Sequence, residues 1–174
     1  MPNSANFEQQ THLMHQRLIT PVFILISFLF FPLLAQQPDL KRAQVQRWAS
    51  WVDSLREATD RSHYKRSLYW HSKLDSSLKS SFPDSIKISY FNASGDYFFN
   101  TRRIKAAKTY YKKGEQLSQK LKDTAQMIEA GGGYANALSV SGEYIAALKK
   151  HRGVLNLLRA QENLTSYHGV LLNM

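Results

Sequence analysis

The stretch IKAAKTYYKKGEQL, residues 104–117, decides the fold, because its lysines and tyrosines allow two incompatible readings. As a lone basic helix in a chain of formal net charge +10, it points to nucleic acid. As one copy of a repeated unit, it points to a packed helical array. Alignment of the chain with itself favours the array. Ile104, Ala107, Tyr111 and Gly114 stand 40 residues before Tyr144, Ala147, His151 and Val154, and 40 after Tyr64, Ser67, His71 and Leu74. Upstream, Trp51, Leu55 and Ala58 correspond in the same way to Phe91, Gly95 and Phe98, and then to Gly131, Ala135 and Leu138. The turn signals FPD at 82–84, KD at 122–123 and EN at 162–163 keep the same register. The alignment predicts three copies, at 48–87, 88–127 and 128–167.

Each copy has room for two helices and two short turns. The periodicity predicts helices over 85–100 and 103–121 in the middle copy and over 124–140 and 143–161 in the third. On a helical wheel Ile104, Ala107, Tyr110, Tyr111, Gly114, Leu117 and Leu121 share one half, and Lys105, Lys108, Lys112, Lys113 and Lys120 share the other. A single-strand nucleic-acid surface would instead mix exposed rings with the basic side chains, since bases stack on rings that face them. Strand patterning is missing after Leu40, and Pro83 is the one proline beyond that point. The expected fold class is all-α. Gly131, Gly132 and Gly133 fall inside an expected helix at a cost of roughly 1 kcal/mol each, which calls for either close helix packing or a local break.

The copies resemble the tetratricopeptide repeat, whose pattern is W-x2-L-G-x2-Y followed by A-x3-F. The middle copy reads Phe91-x2-Ser94-Gly95-x2-Phe98 and then Ala107-x3-Tyr111. The third reads Tyr134-Ala135-x2-Leu138, then Ser141-Gly142-Glu143-Tyr144 and Ala147-x3-His151. The family's period is about 34 residues, so copies of 40 imply longer helices, as in a variant subgroup. The resemblance implies antiparallel helix-turn-helix units stacked as a right-handed α-solenoid. Its packing seam would use Phe91, Gly95, Phe98, Ile104, Ala107 and Tyr111, and then Leu138, Gly142, Tyr144, Ala147 and His151. A concave surface lined by first helices would present Asn92, Asp96, Asn100, Asn136 and Ser139 to an extended peptide or a partner helix. Among such families the combination with an export signal points to extracytoplasmic sensor regions of bacterial signalling proteins.

That signal lies at the N-terminus. Between Arg17 and Asp39 no residue is charged, and ITPVFILISFLFFPLLAQQP, residues 19–38, follows a basic residue and contains the small Ala35. This is the pattern of a secretory signal over 1–35, with Met14 as an alternative start giving a more compact one. The rival reading is an uncleaved anchor over 18–38, shortened by Pro21 and Pro32. Both place the remainder outside the cytoplasm, in the periplasm or extracellular space, after a linker and helix start over 36–47. At the other end LTSYHGVLLNM aligns with a further first helix, so 168–174 reads as the start of another repeat and the chain as part of a longer protein. Residues 1–35 contain only Glu8 and Arg17 as charged groups, so the whole excess of basic residues lies beyond them.

No catalytic, cofactor or metal constellation emerges. The absence of cysteine removes disulfides, thiolate ligands and Cys nucleophiles. His71 and His151 occupy the large-ring position of separate copies, where packing explains them better than convergence on one ion about 2 Å away. There is no HExxH, no GxSxG elbow, and no GK[ST] after Gly133. Asp53, Glu57 and Asp60 alternate with Arg56 and Arg61 as a charged helix face. The expected activity is therefore a non-enzymatic interaction module with a protein or peptide partner, and no specific nucleic acid. The alternative is a polyanion- or anionic-membrane-binding protein that uses the lysines of 105–120.

Overall fold

The computed structural model describes residues 37–77, 82–161 and 170. Those residues form six helices, α1 Gln37–Asp60, α2 Tyr64–Ser77, α3 Asp84–Asn100, α4 Ile104–Leu121, α5 Thr124–Val140 and α6 Tyr144–Ala160. No strand occurs among them, and the fold is all-α. The last four helices begin and end within one residue of the spans expected from periodicity. Within the linker and helix start expected over 36–47 the chain is helical from Gln37, and Asp39 lies in the first turn, where a carboxylate favours the exposed N–H groups. The signal segment 1–35 and most of 168–174 lie outside the described residues.

The chain divides into two compact units, Met1–Gln44 and Val45–Met174. The described part of the first is the opening of α1, where Asp39 to Gln44 are exposed.

Three turns in this second unit repeat one another at intervals of 40. Ser62, Arg102 and Gly142 adopt φ +56°, +62° and +81°. The following N–H in each case bonds back five residues, His63 to Ala58, Arg103 to Phe98 and Glu143 to Leu138, at 2.8, 2.8 and 3.0 Å. A left-handed residue followed by this bond closes a helix C-terminus and satisfies its last carbonyls. The next helix then starts alike three times, with Ser67, Ala107 and Ala147 donating to the carbonyls of His63, Arg103 and Glu143. Lys122, at φ +57°, closes α4 in the same way, and Asp123 caps α5 by accepting from the Gln126 N–H at 3.1 Å.

Neighbouring helices pack in opposite directions. A methyl group on Gly95 would meet the Tyr111 ring, and one on Gly114 would meet Asn92, so moving up α3 means moving down α4. Helix α4 packs on α5 and α5 on α6, while α3 also touches α5 directly. The glycine triplet is explained by this packing. A Cβ on Gly133 would lie 2.3 Å from the Tyr111 ring and one on Gly131 would lie 2.9 Å from Val154, yet one on Gly132 would meet nothing within 4 Å. Helix α5 runs through all three without a break.

The core joins Trp48, Val52 and Leu55 of α1 to Leu74 of α2 and to Tyr90, Tyr97 and Phe98 of α3. Leu55 and Leu74 are fully buried, each worth about 1.5–3 kcal/mol of transfer free energy. Most expected seam residues lie inside: Gly95, Phe98, Ala107, Tyr111, Leu138, Ala147 and His151 are buried, and Phe91 and Ile104 are partly buried against the core. Three expectations fail. Tyr144, the first residue of α6, is 70% exposed, as Tyr64, the first residue of α2, is at 44%. Gly142 is an exposed turn residue whose role is its positive φ. Leu121, assigned to the inward half of α4, is 45% exposed at the last residue of the helix.

Candidate functional site

Five polar residues were expected on the face of the first helices, and the structure separates them. Asn92 has no exposed surface. Its Nδ2 donates to Gln126 Oε1 at 3.0 Å, and its Oδ1 faces Gly114, where a Cβ would approach to 2.2 Å. It joins α3 to α5 internally, so its assignment to a partner surface is corrected. Asn100 is exposed as the last residue of α3, and Asp96, Asn136 and Ser139 are half-buried.

Asp96 is the centre of the polar arrangement. Tyr111 donates its hydroxyl to Asp96 Oδ1 at 2.7 Å. Burial raises the Asp96 carboxyl above the ordinary range; the Tyr111 hydrogen bond opposes this, nearby Glu129 adds to it, and Arg56 opposes it. Burial likewise raises the Tyr111 hydroxyl, with Asp96 adding to the effect, so it stays a donor. Arg56 of α1 reaches past α3 to Glu129 of α5, Nη1 to Oε1 at 2.6 Å, with both side chains 32% exposed. Burial lowers the Arg56 pKa, but the Glu129 contact and charge outweigh it and hold the guanidinium above its ordinary value. Neither Arg56 nor Glu129 is among the five expected residues, although Arg56, Asp96 and Asn136 are spaced by 40 and hold the same position on α1, α3 and α5. Of the charged face expected on α1, Arg61 does pair locally with Glu57 at 3.1 Å, whereas Arg56 spans to another helix.

A second polar cluster lies in the core. His71 Nδ1 is 3.2 Å from Ser94 Oγ and 3.4 Å from the Tyr90 hydroxyl, which donates to Asp75 Oδ1 at 2.9 Å. Serine, histidine and aspartate are thus near one another, but they are not arranged for acyl transfer. A nucleophilic serine and its orienting acid must use opposite ring nitrogens, and here Ser94 and Tyr90 share Nδ1. Ser94 is also fully buried. The rings of Tyr90, Tyr97, Phe98 and Tyr110 surround His71 at centroid distances of 5.8, 5.5, 4.9 and 5.6 Å, and burial depresses its pKa. His151, 2% exposed, has no hydrogen-bond partner for either nitrogen among the described residues, and burial depresses its pKa too. Among the described residues, no three His, Asp or Glu side chains are grouped so as to hold a metal ion.

The lysines of α4 do not act as one free surface. Lys108 is bound to Glu143 and Ser141 at the turn before α6. The Lys113 ammonium lies 5.2 Å from the Tyr110 centroid and 5.8 Å from that of Phe91. One copy earlier, Lys73 repeats this over Trp51 and Trp70 at 4.2 and 4.9 Å. Lys105, Lys112 and Lys120 are exposed. Among the described residues no helix is long and apolar enough to cross a membrane. Comparison of the chain with protein-family models, curated proteins and solved structures found no match.

Proposed function

We propose that this chain is a tetratricopeptide-like interaction module, exported by its N-terminal segment, that serves as the sensory or scaffold part of a bacterial signal-transduction protein. The observation that carries the reading is the recurrence at 62, 102 and 142 of one turn with one hydrogen-bond pattern. A helix pair repeated at a fixed interval, each unit packed on its neighbours, is how a solenoid is built. The partner surface in this reading is the face of α1, α3 and α5. Asn100, Asn136 and Ser139 supply hydrogen-bonding groups there, and Arg56, Asp96 and Glu129 supply charge. A peptide or helix with both a cation and backbone amides suits that combination.

The reading is tested by selecting peptides from a displayed library on the full chain and measuring their affinity for Arg56→Ala and Asn136→Ala. Loss of tenfold or more in either variant is expected. Binders indifferent to both would move the partner elsewhere. Export is tested separately by fusing residues 1–35 to a reporter enzyme that is active only outside the cytoplasm; an inactive fusion sinks that half of the proposal.

A further inference from the structure

One flank of the second helices combines two features. Large apolar side chains stand in water there, with Tyr64 44%, Leu68 49% and Tyr69 56% exposed on α2, and Tyr144 70%, Ile145 83% and Leu148 38% exposed on α6. The two groups share one register, since Tyr64 and Leu68 precede Tyr144 and Leu148 by 80 residues. Cations lie among them: Lys65 and Arg66 on α2, Arg102 and Lys105 at the start of α4, and Lys149 on α6, all exposed and none in a salt bridge among the described residues. Of the acidic residues beside it, Glu143 is paired with Lys108 and Asp75 accepts from the Tyr90 hydroxyl. Two open clefts follow the same register. One, of about 500 Å³, is lined by Lys65 and Tyr69, and the other, of about 550 Å³, by Lys105 and Thr109 with Arg102 and Arg103.

We propose that this flank is a docking surface for an anionic phospholipid bilayer, with the tyrosines and aliphatics seated at headgroup level and the basic side chains on lipid phosphates. The pattern distinguishes a lipid surface from a protein partner. Protein interfaces concentrate apolar area at a core from which lysine is depleted. On this flank the apolar side chains are spread over two helices and each group stands beside lysine, as on helices that lie in a membrane interface. Tyrosine is also a residue that settles at the headgroup boundary. The surface lies on the second helices, so it neither uses nor depends on the proposed peptide face.

The chain contains no cysteine, so Ile145→Cys, Leu68→Cys and, as a control on α3, Asn100→Cys each carry a single environment-sensitive fluorophore in the full-length protein. With vesicles of phosphatidylglycerol and phosphatidylcholine, labels at 145 and 68 are expected to shift to the blue and to be quenched by a bilayer-borne quencher, while the label at 100 is unchanged. A local readout keeps insertion of the N-terminal apolar segment from imitating the result. Lys65→Glu with Lys105→Glu should weaken the response at 145 by about fivefold per cation or more. The proposal is overturned by equal responses at 145 and 100, by equal responses on purely zwitterionic vesicles, by indifference to the charge reversals, or by a response to heparin or polyglutamate that vesicles do not give.

Discussion

Tyr111 donates its hydroxyl to Asp96 at 2.7 Å while its ring is held between Gly95 and Gly133, where added Cβ atoms would lie 2.5 and 2.3 Å from it. The ring therefore has no direction in which to yield. Gly133→Ala should lower stability by about 1–3 kcal/mol through overpacking, although alanine is the better helix former. Gly132→Ala, one residue away with open space around it, should raise stability by up to about 1 kcal/mol. Urea unfolding of the two variants checks the pair, and equal signs would show that the ring is not clamped.

The raised carboxyl of Asp96 gives a pH dependence whose sign is fixed. A group with a folded pKa above its unfolded one contributes stability that is fully present below the unfolded value, here 3.8, and lost as pH rises through the folded value. Asp96→Asn keeps an acceptor for Tyr111 and removes the charge. The variant's stability relative to the parent should grow as pH climbs from 3.8 through the raised value and then level off. A difference that stays flat from pH 3 to 7 would show that Asp96 ionises without penalty.

Arg56 and Glu129 act on Asp96 in opposite senses. Glu129→Gln should lower the Asp96 pKa and Arg56→Gln should raise it, both followed by carboxyl-carbon NMR titration. Because each partner is about one-third exposed, their coupling in a double-mutant cycle should be no more than about 1 kcal/mol. A larger coupling would make the pair a structural tie of α1 to α5.

How far the sequence disclosed this depends on the scale of the feature. The spans of α3 to α6 were legible because glycine, small and large-ring positions recur every 40 residues and turn residues bracket them. Asn92 was misplaced because its polarity suggested solvent, whereas Gly114 leaves it a niche between α3 and α5. Arg56 and Glu129 stand 73 positions apart, and a charge alternating with carboxylates on its own helix gives no sign that it will pair with another helix. Tyr144 aligns with the half-buried Ile104 yet is exposed, and position in a repeat alone does not show how much of a side chain its neighbours cover.

His71 works in the sense opposite to Asp96. Burial, reinforced by Arg103 and opposed by Asp75, holds its pKa below 6.5. The stability tied to a neutral His71 is present above 6.5 and lost as pH falls through the lowered folded value. His71→Gln retains a polar partner for Ser94 but does not titrate. The parent should therefore lose stability relative to this variant on acidification, measured by urea midpoints from pH 7.5 downward. Parallel curves would mean that His71 becomes protonated in place without cost.

The left-handed turn positions offer a test of the repeat itself. Gly142 occupies at φ +81° the place that Ser62 occupies at +56°, and Lys122 closes α4 at +57°. A side chain in this region costs about 1–2 kcal/mol, while glycine returns about 0.5–1 kcal/mol of that by loosening the unfolded chain. Ser62→Gly and Lys122→Gly should each stabilise by up to about 1 kcal/mol, and Gly142→Ala should destabilise by a similar amount. Ser62 and Lys122 are exposed and make no side-chain hydrogen bond to offset the gain among the described residues. Thermal midpoints that move in these opposed directions would mean that the turns at 62 and 142 are energetically equivalent. Destabilisation by Ser62→Gly would mean that the first copy closes its helix by some other interaction.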